Sequence, residues 1–398
     1  MRRIDLRRAQ PAHFSTMRDI NRQIVLNYVR ERGPISRAEI ARETVLQRST
    51  VSTIIDALVA DGMVEEIGEG ESTGGRRPTL LRLRASGAAA VGIDITPTRT
   101  TVATSDLAGR VLESEAFATD SDFEKTISRA IECVLDAKQR HGEELAGVGV
   151  ILPGLVDPLQ GKALYVPYFN WRDLEVERRV STATGLSVNI DNDANAAALA
   201  ELWFGRPEVS SARDFIMVFV SEGVGTGIIF DGQIYRGAGG AAGEFGHMII
   251  GQQAPVACSC GSRDCWEAFA SGRAALARHA RQTGRTDGQT PLTFAELIDR
   301  ALDGETAAQT ALVETAKYVS IGISNLIVGF SPELVVVGGS IARAWPLVAG
   351  VFGETVERSV RRGLPTARIV ASTLGEQTTL MGALSLVLAN KFAYASLV

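Results

Sequence analysis

Near the start of the chain, apolar residues recur at helical spacing. Ile20, Ile24, Val25 and Val29 share one face of a segment predicted as a helix over 16–32. Gly33-Pro34 ends it, because proline has no amide to extend a helix and its ring clashes with the preceding turn. Ser36-Arg37-Ala38-Glu39 has the spacing of a capping box, in which serine and glutamate satisfy each other's free amides. A short second helix with Ile40 inward is predicted after it, then a turn at 44–47. A third helix runs to about residue 60, with Val51, Ile54, Ile55, Leu58 and Val59 as its buried stripe. Residues 63–67 and 79–83 read as strands on either side of a loop at 68–78.

The pattern changes at residue 89. Segments 89–95, 100–106 and 111–117 read as three strands joined by tight turns. A helix is predicted at about 122–140, a strand at 145–152, a helix starting near Trp171, a strand at 187–190 and a helix at 194–204. The order restarts at 214, with strands at 215–220, 226–230 and 233–235 and Asp231-Gly232 as a hairpin turn. Later helices alternate with strands at 333–337 and 368–371. Two halves that each begin with three strands and continue αβα describe a two-lobed α/β fold of the actin/hexokinase/RNase H-like type. The expected division is a winged helix-turn-helix over 1–84, a first lobe over 85–204 and a second over 205–398.

Composition narrows the class. Of 398 residues, 45% are hydrophobic and 22% charged, too apolar a chain for intrinsic disorder. The apolar runs read as too short to span a bilayer, so no membrane is expected. Residues 1–10 are basic with no apolar stretch behind them, so no secretory signal is expected and the cytoplasm is the expected location. Charge is uneven. Residues 1–84 hold 15 arginines and 11 acidic side chains, net +4, while the remainder is net −9. A basic head on an acidic body points to a nucleic-acid-binding module.

The polar positions of the head fit that reading. Gln47, Arg48, Ser49, Thr50, Ser52 and Thr53 lie on or beside the exposed start of the third helix, and Arg37 opens the second. Two short helices and a tight turn match a helix-turn-helix, whose second helix enters the major groove N-terminus first. Arginine and hydroxyls there reach phosphates or base edges. The flanking strands make it a winged helix, and Gly75-Arg76-Arg77-Pro78 places Arg76 and Arg77 at the wing for a narrow minor groove. A plain three-helix bundle would explain the stripes but not the basic wing. Double-stranded operator DNA is the expected partner.

The body carries different chemistry. Three of four cysteines, Cys258, Cys260 and Cys265, fall within eight residues, which reads as metal binding rather than a disulfide framework. With His247 they offer one imidazole and three thiolates, the donor set of a closed, structural Zn²⁺ site.

The run from Gly237 through Gly243-Glu244-Phe245-Gly246-His247, followed by Cys258-x-Cys260-Gly-x-x-x-Cys265-x-Glu267, closely resembles the ROK family of sugar kinases and sugar-responsive repressors. Pro153-Gly154-Leu155-Val156-Asp157, Asp191-Asn192-Asp193-Ala194-Asn195 through Glu201, and Pro332 through Gly338-Gly339 match it as well. The winged helix with its Gly-Arg-Arg-Pro segment resembles the family's repressor branch. The resemblance covers essentially the whole chain. It implies that Asn192 and Asp193 contact sugar hydroxyls, with Asp193 where kinases keep their general base. It implies that Glu244 and Glu267 accept bonds from ring hydroxyls and that Gly154 offers backbone contact. His247 is then expected to bind zinc through one nitrogen and face the sugar with the other. The metal's implied job is to pin the loop carrying Glu267 against the turn carrying Glu244.

The chain departs from the kinase pattern at both phosphate loops. ROK kinases have Asp-x-Gly-Gly-Thr where this chain has Asp94-Ile95-Thr96-Pro97-Thr98, and Gly-Thr-Gly-x-Gly where it has Ser221-Glu222-Gly223-Val224-Gly225. Glycine lets amides approach phosphate, proline has none to offer, and Glu222 adds like charge. ATP is therefore not expected, nor is kinase activity. The reading is a sugar-responsive transcriptional regulator, a repressor, with a monosaccharide effector between the lobes. A homo-oligomer, dimer or tetramer, on a palindromic site is expected from symmetry. Two other readings stay open: an active ATP-dependent hexose kinase with a DNA-binding domain, and a repressor controlled by a protein partner.

Overall fold

Ser36 and Glu39 do bond reciprocally: the serine amide donates to the Glu39 carboxylate at 2.9 Å and the Glu39 amide to the serine oxygen at 3.3 Å. This box starts the second helix of a computed structural model that describes residues 14–70, 77–284, 292–359 and 367–392. Arg76, Gly75 and residues 1–10 lie outside the described residues. The head comprises α1 (Phe14–Arg32), β1 (Ile35–Ser36), α2 (Arg37–Thr44), α3 (Arg48–Ala60), β2 (Val64–Glu69) and β3 (Thr79–Leu83). Its sheet has three strands in the order β1-β3-β2, one more than the spacing predicts. Val25, Val29, Ile40, Val51, Ile55, Leu58 and Leu81 fill its core. Val59 is exposed, so the buried arc of α3 is narrower than predicted.

The first lobe runs β4 (Ala89–Ile95), β5 (Arg99–Asp106), β6 (Val111–Ala118), α4 (Phe123–His141), β7 (Leu145–Leu152), β8 (Leu155–Asp157), β9 (Lys162–Val166), β10 (Trp171–Leu174), α5 (Val176–Thr184), β11 (Val188–Asn192) and α6 (Asp193–Phe204). The second runs α7 (Pro207–Ser210), β12 (Phe215–Val220), β13 (Val224–Phe230), β14 (Gln233–Ile234), α8 (Trp266–Ala270), α9 (Gly272–Thr283), α10 (Phe294–Leu302), α11 (Thr306–Phe330), β15 (Leu334–Gly338), α12 (Trp345–Ser359), β16 (Arg368–Ala371) and α13 (Thr378–Phe392). One main sheet has the order β11-β7-β4-β5-β6 and the other β14-β13-β12-β15-β16. Each pairs three antiparallel strands with two parallel ones, so the duplication read from the sequence is present. The β13–β14 turn has positive φ at both Asp231 and Gly232, as a tight hairpin requires.

Two expectations need correction. The helix expected from Trp171 begins at Val176, and Trp171–Leu174 is a strand paired with β9. Side-chain packing decides this: the Trp171 ring stacks on Phe169 and its N–H donates to the Ser121 carbonyl at 2.7 Å. The second concerns apolar length. At 25 residues α11 is long and apolar enough to cross a bilayer by length and composition. Its Leu312, Ala316, Val319, Ile323 and Ile327 instead fill the second lobe's core, and Trp266 packs over Gly322.

α13 follows the second sheet in sequence yet packs on the first, so a division at 204/205 separates it from the strands it covers. A side chain at Gly92 or Gly149 would strike Ala383, and one at Gly382 would strike Ala196 of α6. These glycines let α13 lie close to β4, β7 and α6. The far end of α13 reaches the head. Leu384, Val387, Leu388 and Phe392 share one apolar cluster with Val25, Val29, Ile40 and Leu58. The Asn27 amide donates to the Phe392 carbonyl at 2.8 Å, and the Arg30 guanidinium lies 4.1 Å over the Trp203 ring.

Candidate functional site

The head presents the predicted DNA residues at the start of α3. Gln47 is the N-cap residue, in extended backbone with no capping bond from its side chain. Gln47, Arg48, Ser49 and Thr53 are exposed, and Thr50 and Ser52 are half-buried. Arg77 is exposed at the root of the wing. Arg37 differs. It pairs with Asp56 at 2.7 Å and Glu66 at 3.0 Å, tying α2 to α3 and β2.

In the body, β11 ends in the side chains that open α6. The Asn192 side-chain oxygen caps that helix by accepting from the Asn195 amide at 2.8 Å. Its NH₂ group carries two further donors. Asp193 accepts from the Ala194 amide at 2.8 Å. Burial pushes the Asp193 carboxyl up to about 7, and the charges of Asp94, Glu244 and Glu267 add to this. The acids of both lobes therefore meet here. Asp94, at the end of β4, is raised to about 6 by burial, against a 2.7 Å bond from the Thr379 hydroxyl at the start of α13. Burial also raises Glu244. Gly154 has φ +96°, and a side chain there would meet the Tyr165 carbonyl.

The sequence assigns no role to several other residues at this site. Asp191 is buried, and one of its oxygens accepts from the Asn192 amide at 2.9 Å and the Asn195 side chain at 2.8 Å. Its other oxygen accepts from Arg236 of the second lobe at 2.8 and 2.7 Å. Arg273 donates to Glu267 at 2.8 Å and to the carbonyls of Glu222 and Ala257. Tyr168 comes from the first lobe toward Gly223. Burial and the nearby Glu267 charge raise its phenol. No spacing singles out Arg236, Arg273 or Tyr168. The Pro167-Tyr168-Phe169-Asn170-Trp171 run is the one aromatic cluster that hints at the last.

His247, Cys258, Cys260 and Cys265 bring their donor atoms within 4.8 Å of one another. The Cys258 sulfur lies 3.4 Å from His247 Nδ1, and the sulfurs of Cys260 and Cys265 are 3.7 Å apart. A tetrahedral ion with bonds of about 2.3 Å to sulfur and about 2.0 Å to nitrogen sets edges of roughly 3.8 and 3.5 Å. The cluster thus fits a metal such as zinc. Burial raises the Cys258 and Cys265 thiols, a cost that a bound cation reverses by stabilising thiolate. His247 turns Nδ1 to the thiols and Nε2 to Glu244, 3.6 Å away. Cys258 and Ser259 donate to the same Glu267 oxygen, so the cysteine loop contacts the carboxylate directly.

Both phosphate-loop equivalents are closed on themselves. The Thr96 amide and hydroxyl donate to the Arg99 carbonyl at 2.9 and 2.7 Å, and the Arg99 amide returns to the Thr96 hydroxyl. The Ser221 amide donates to the Gly223 carbonyl at 3.0 Å and the Val224 amide to Glu267 at 3.3 Å. Burial pushes the Glu222 carboxyl up.

Comparison with known proteins agrees with this arrangement. Residues 90–390 match the ROK family model, and 24–77 match that of the MarR family. The xylose repressor of Bacillus subtilis (strain 168) is 32% identical over 377 residues, covering 94% of this chain and 96% of the relative. The DNA-binding transcriptional dual regulator NagC of Escherichia coli (strain K12) is 28% identical over 373 residues, 90% of this chain and 91% of its own. A crystal structure of a ROK family transcriptional regulator, a homolog of the E. coli MLC protein, superposes with TM-score 0.80 over 95% of this chain and 97% of that one, at 24% identity. A ROK family glucokinase from Streptomyces griseus, solved with glucose and AMPPNP, superposes with TM-score 0.67 at 30% identity, over 75% of this chain and 99% of its own. A winged helix of the MarR type joined to a two-lobed body with this cysteine loop identifies the chain as a member of the ROK family.

Proposed function

We propose that the protein is a sugar-responsive transcriptional repressor whose former kinase body serves as the sugar sensor. One contrast carries the reading. Asn192 and Asp193 adjoin one another, with Glu244 and Glu267 near enough to raise the Asp193 carboxyl, while both phosphate-loop equivalents carry bonds within the loop. Carboxylates and amides suit a ligand with many hydroxyls. A loop with Pro97 in place of an amide, and a loop that carries Glu222 and has its Ser221 and Val224 amides already bonded, do not suit a polyphosphate. The relatives named as repressors support the DNA-binding half.

In this reading a monosaccharide donates to Asp193, Glu244 and Glu267, accepts from Asn192 and His247, and lies beside the Gly154 backbone. Zinc held by His247, Cys258, Cys260 and Cys265 fixes the loop that presents Glu267. When bound it supplies a rigid cross-link and a fixed imidazole orientation. Closure of the lobes on sugar alters Asp94 and Thr379 at one end of α13, and the other end packs on α1. A coupling of about 1–3 kcal/mol suffices to switch operator affinity several-fold. A homodimer would set two recognition helices one DNA turn apart, reading a palindrome in the cytoplasm. Gln47, Arg48, Ser49, Thr50, Ser52, Thr53, Arg76 and Arg77 are the proposed contacts, with Arg37 bracing α3 from behind.

A thermal-shift screen of the metal-loaded protein against monosaccharides, sugar phosphates and ATP-Mg²⁺ tests this. Stabilisation by a free sugar and none by ATP-Mg²⁺ is expected. Turnover of that sugar with ATP would overturn the sensor reading. Silence across the panel would move weight to a protein partner or to a ligand outside it.

A further inference from the structure

We infer that Val45 reads a thymine C5-methyl in the operator and is a specificity-determining residue of the helix-turn-helix. The inference rests on the DNA-binding half of the proposed function. Val45 is the C-cap of α2, with φ 60° and ψ 14°. This left-handed conformation favours glycine, and it penalises β-branched side chains most. The other described non-glycine residues with positive φ are Asn170, Asp173, Asp231, Gln253, Asp264 and Ser331, all polar. Val45 is the apolar exception among the described residues.

The turn holds the conformation in place. The Thr44 hydroxyl donates to the Ile40 carbonyl at 2.6 Å and accepts from the Leu46 amide at 3.4 Å. Leu46 packs against the head's core. Burial of its own side chain does not offset the strain, because Val45 is 90% exposed. It lies two residues before the N-cap Gln47, at the end of α3 that enters the groove first. Gln47, Arg48 and Ser49, the next exposed residues, are polar. Major-groove base edges present donors, acceptors and a single apolar group, the thymine methyl. An isopropyl group held rigidly at the head of the recognition helix matches that group.

The test starts with duplexes selected by the full-length wild-type protein from a randomised DNA pool. Each thymine of the selected site is replaced by uracil, which removes only the methyl. The wild type should lose about fourfold in affinity at one thymine of each half-site, the factor that corresponds to ~0.8 kcal/mol for one buried methyl. Val45→Gly and Val45→Asn should lose that uracil penalty while binding elsewhere in the site is unchanged, and their melting temperatures should not fall. A uracil penalty that persists in both variants, or is absent in the wild type, overturns the inference. A purely structural Val45 would lower the melting temperature on replacement and leave the penalty intact. If the wild type selects no sequence, the DNA-binding reading itself fails, and this inference with it.

Discussion

Arg236→Met should be the most damaging single change between the lobes. Asp191 is 2% exposed in its side chain and Arg236 30%, so the pair is a largely desolvated clasp. One Asp191 oxygen keeps its bonds from Asn192 and Asn195, and the other loses both of its donors. Removing one partner of a buried pair costs about 3–5 kcal/mol, because the remaining charge is uncompensated. Arg236 is partly solvated, which places the expected loss near ~3 kcal/mol. Thermal unfolding converts this into a statement about cooperativity. If the whole chain unfolds together, the melting temperature falls by about 4 °C; if a unit of about 150 residues unfolds, it falls by about 10 °C. The double variant Asp191→Asn/Arg236→Met removes the charge along with its partner and should recover at least ~2 kcal/mol. Urea unfolding of the four proteins gives the coupling, and calorimetry gives the unit. A loss below ~1 kcal/mol in Arg236→Met, or two single effects that simply add, would refute the clasp. Sugar affinity should fall in the same variant, since Asp191, which holds the Asn192 amide, loses its tie to the second lobe.

Other outcomes follow from the same contacts. Asp94 has a carboxyl raised from an ordinary 3.8 to about 6, so the native state holds an extra proton between those values and stability falls as pH rises through that window. Asp94→Asn keeps an acceptor for Thr379 and should match the wild type near pH 4, then exceed it by up to about 3 kcal/mol above pH 7. Denaturant unfolding of both proteins across pH checks this, and a difference between them that fails to grow over the same window would contradict it. Chelation of the metal should release one zinc per chain, expose three thiols to a thiol reagent and lower the melting temperature. Protein that melts identically before and after chelation would remove the metal's structural role. Arg30→Ala deletes a guanidinium lying over Trp203 and Phe392, and should destabilise the contact between head and body by about 1–2 kcal/mol. Faster hydrogen exchange in α1, with the second lobe unchanged, is the expected readout; uniform exchange rates would contradict it.

Features encoded by neighbouring residues are legible in the sequence. The Ser36–Glu39 box, the Asp231-Gly232 turn and the antiparallel pairing of β12 with β13 each lie within a short stretch of chain, so their physics is local. The His247–cysteine cluster is legible for the same reason, since three of its four residues share one loop. Trp171 misleads because its strand exists only through pairing with β9 and stacking on Phe169. Arg236, Arg273 and Thr379 leave no sequence signal because each is a single polar residue without periodic spacing. Each finds its carboxylate only when distant segments meet.

The placement of α13 follows the same logic with glycine and alanine in place of charge. α6 is rich in alanine, and Gly227 admits it to β13 while Gly382 of α13 admits it from another side. An amphipathic stripe is not expected of a helix packed against a sheet and a helix at once, so periodicity cannot locate it. The same small residues bring two backbones near contact, where side-chain repacking has little room to absorb a shift. In the proposed switch, a displacement of Thr379 would therefore reach Phe392 as movement of the whole helix, and Phe392 contacts the head through Asn27. Substituting Gly382 by alanine tests the rigidity of that path. Its new methyl would crowd the Ala196 carbonyl and lift α13 from α6. Sugar affinity should survive that change while the sugar's effect on operator affinity shrinks. Unchanged coupling in a variant with displaced α13 would show that the signal takes another route.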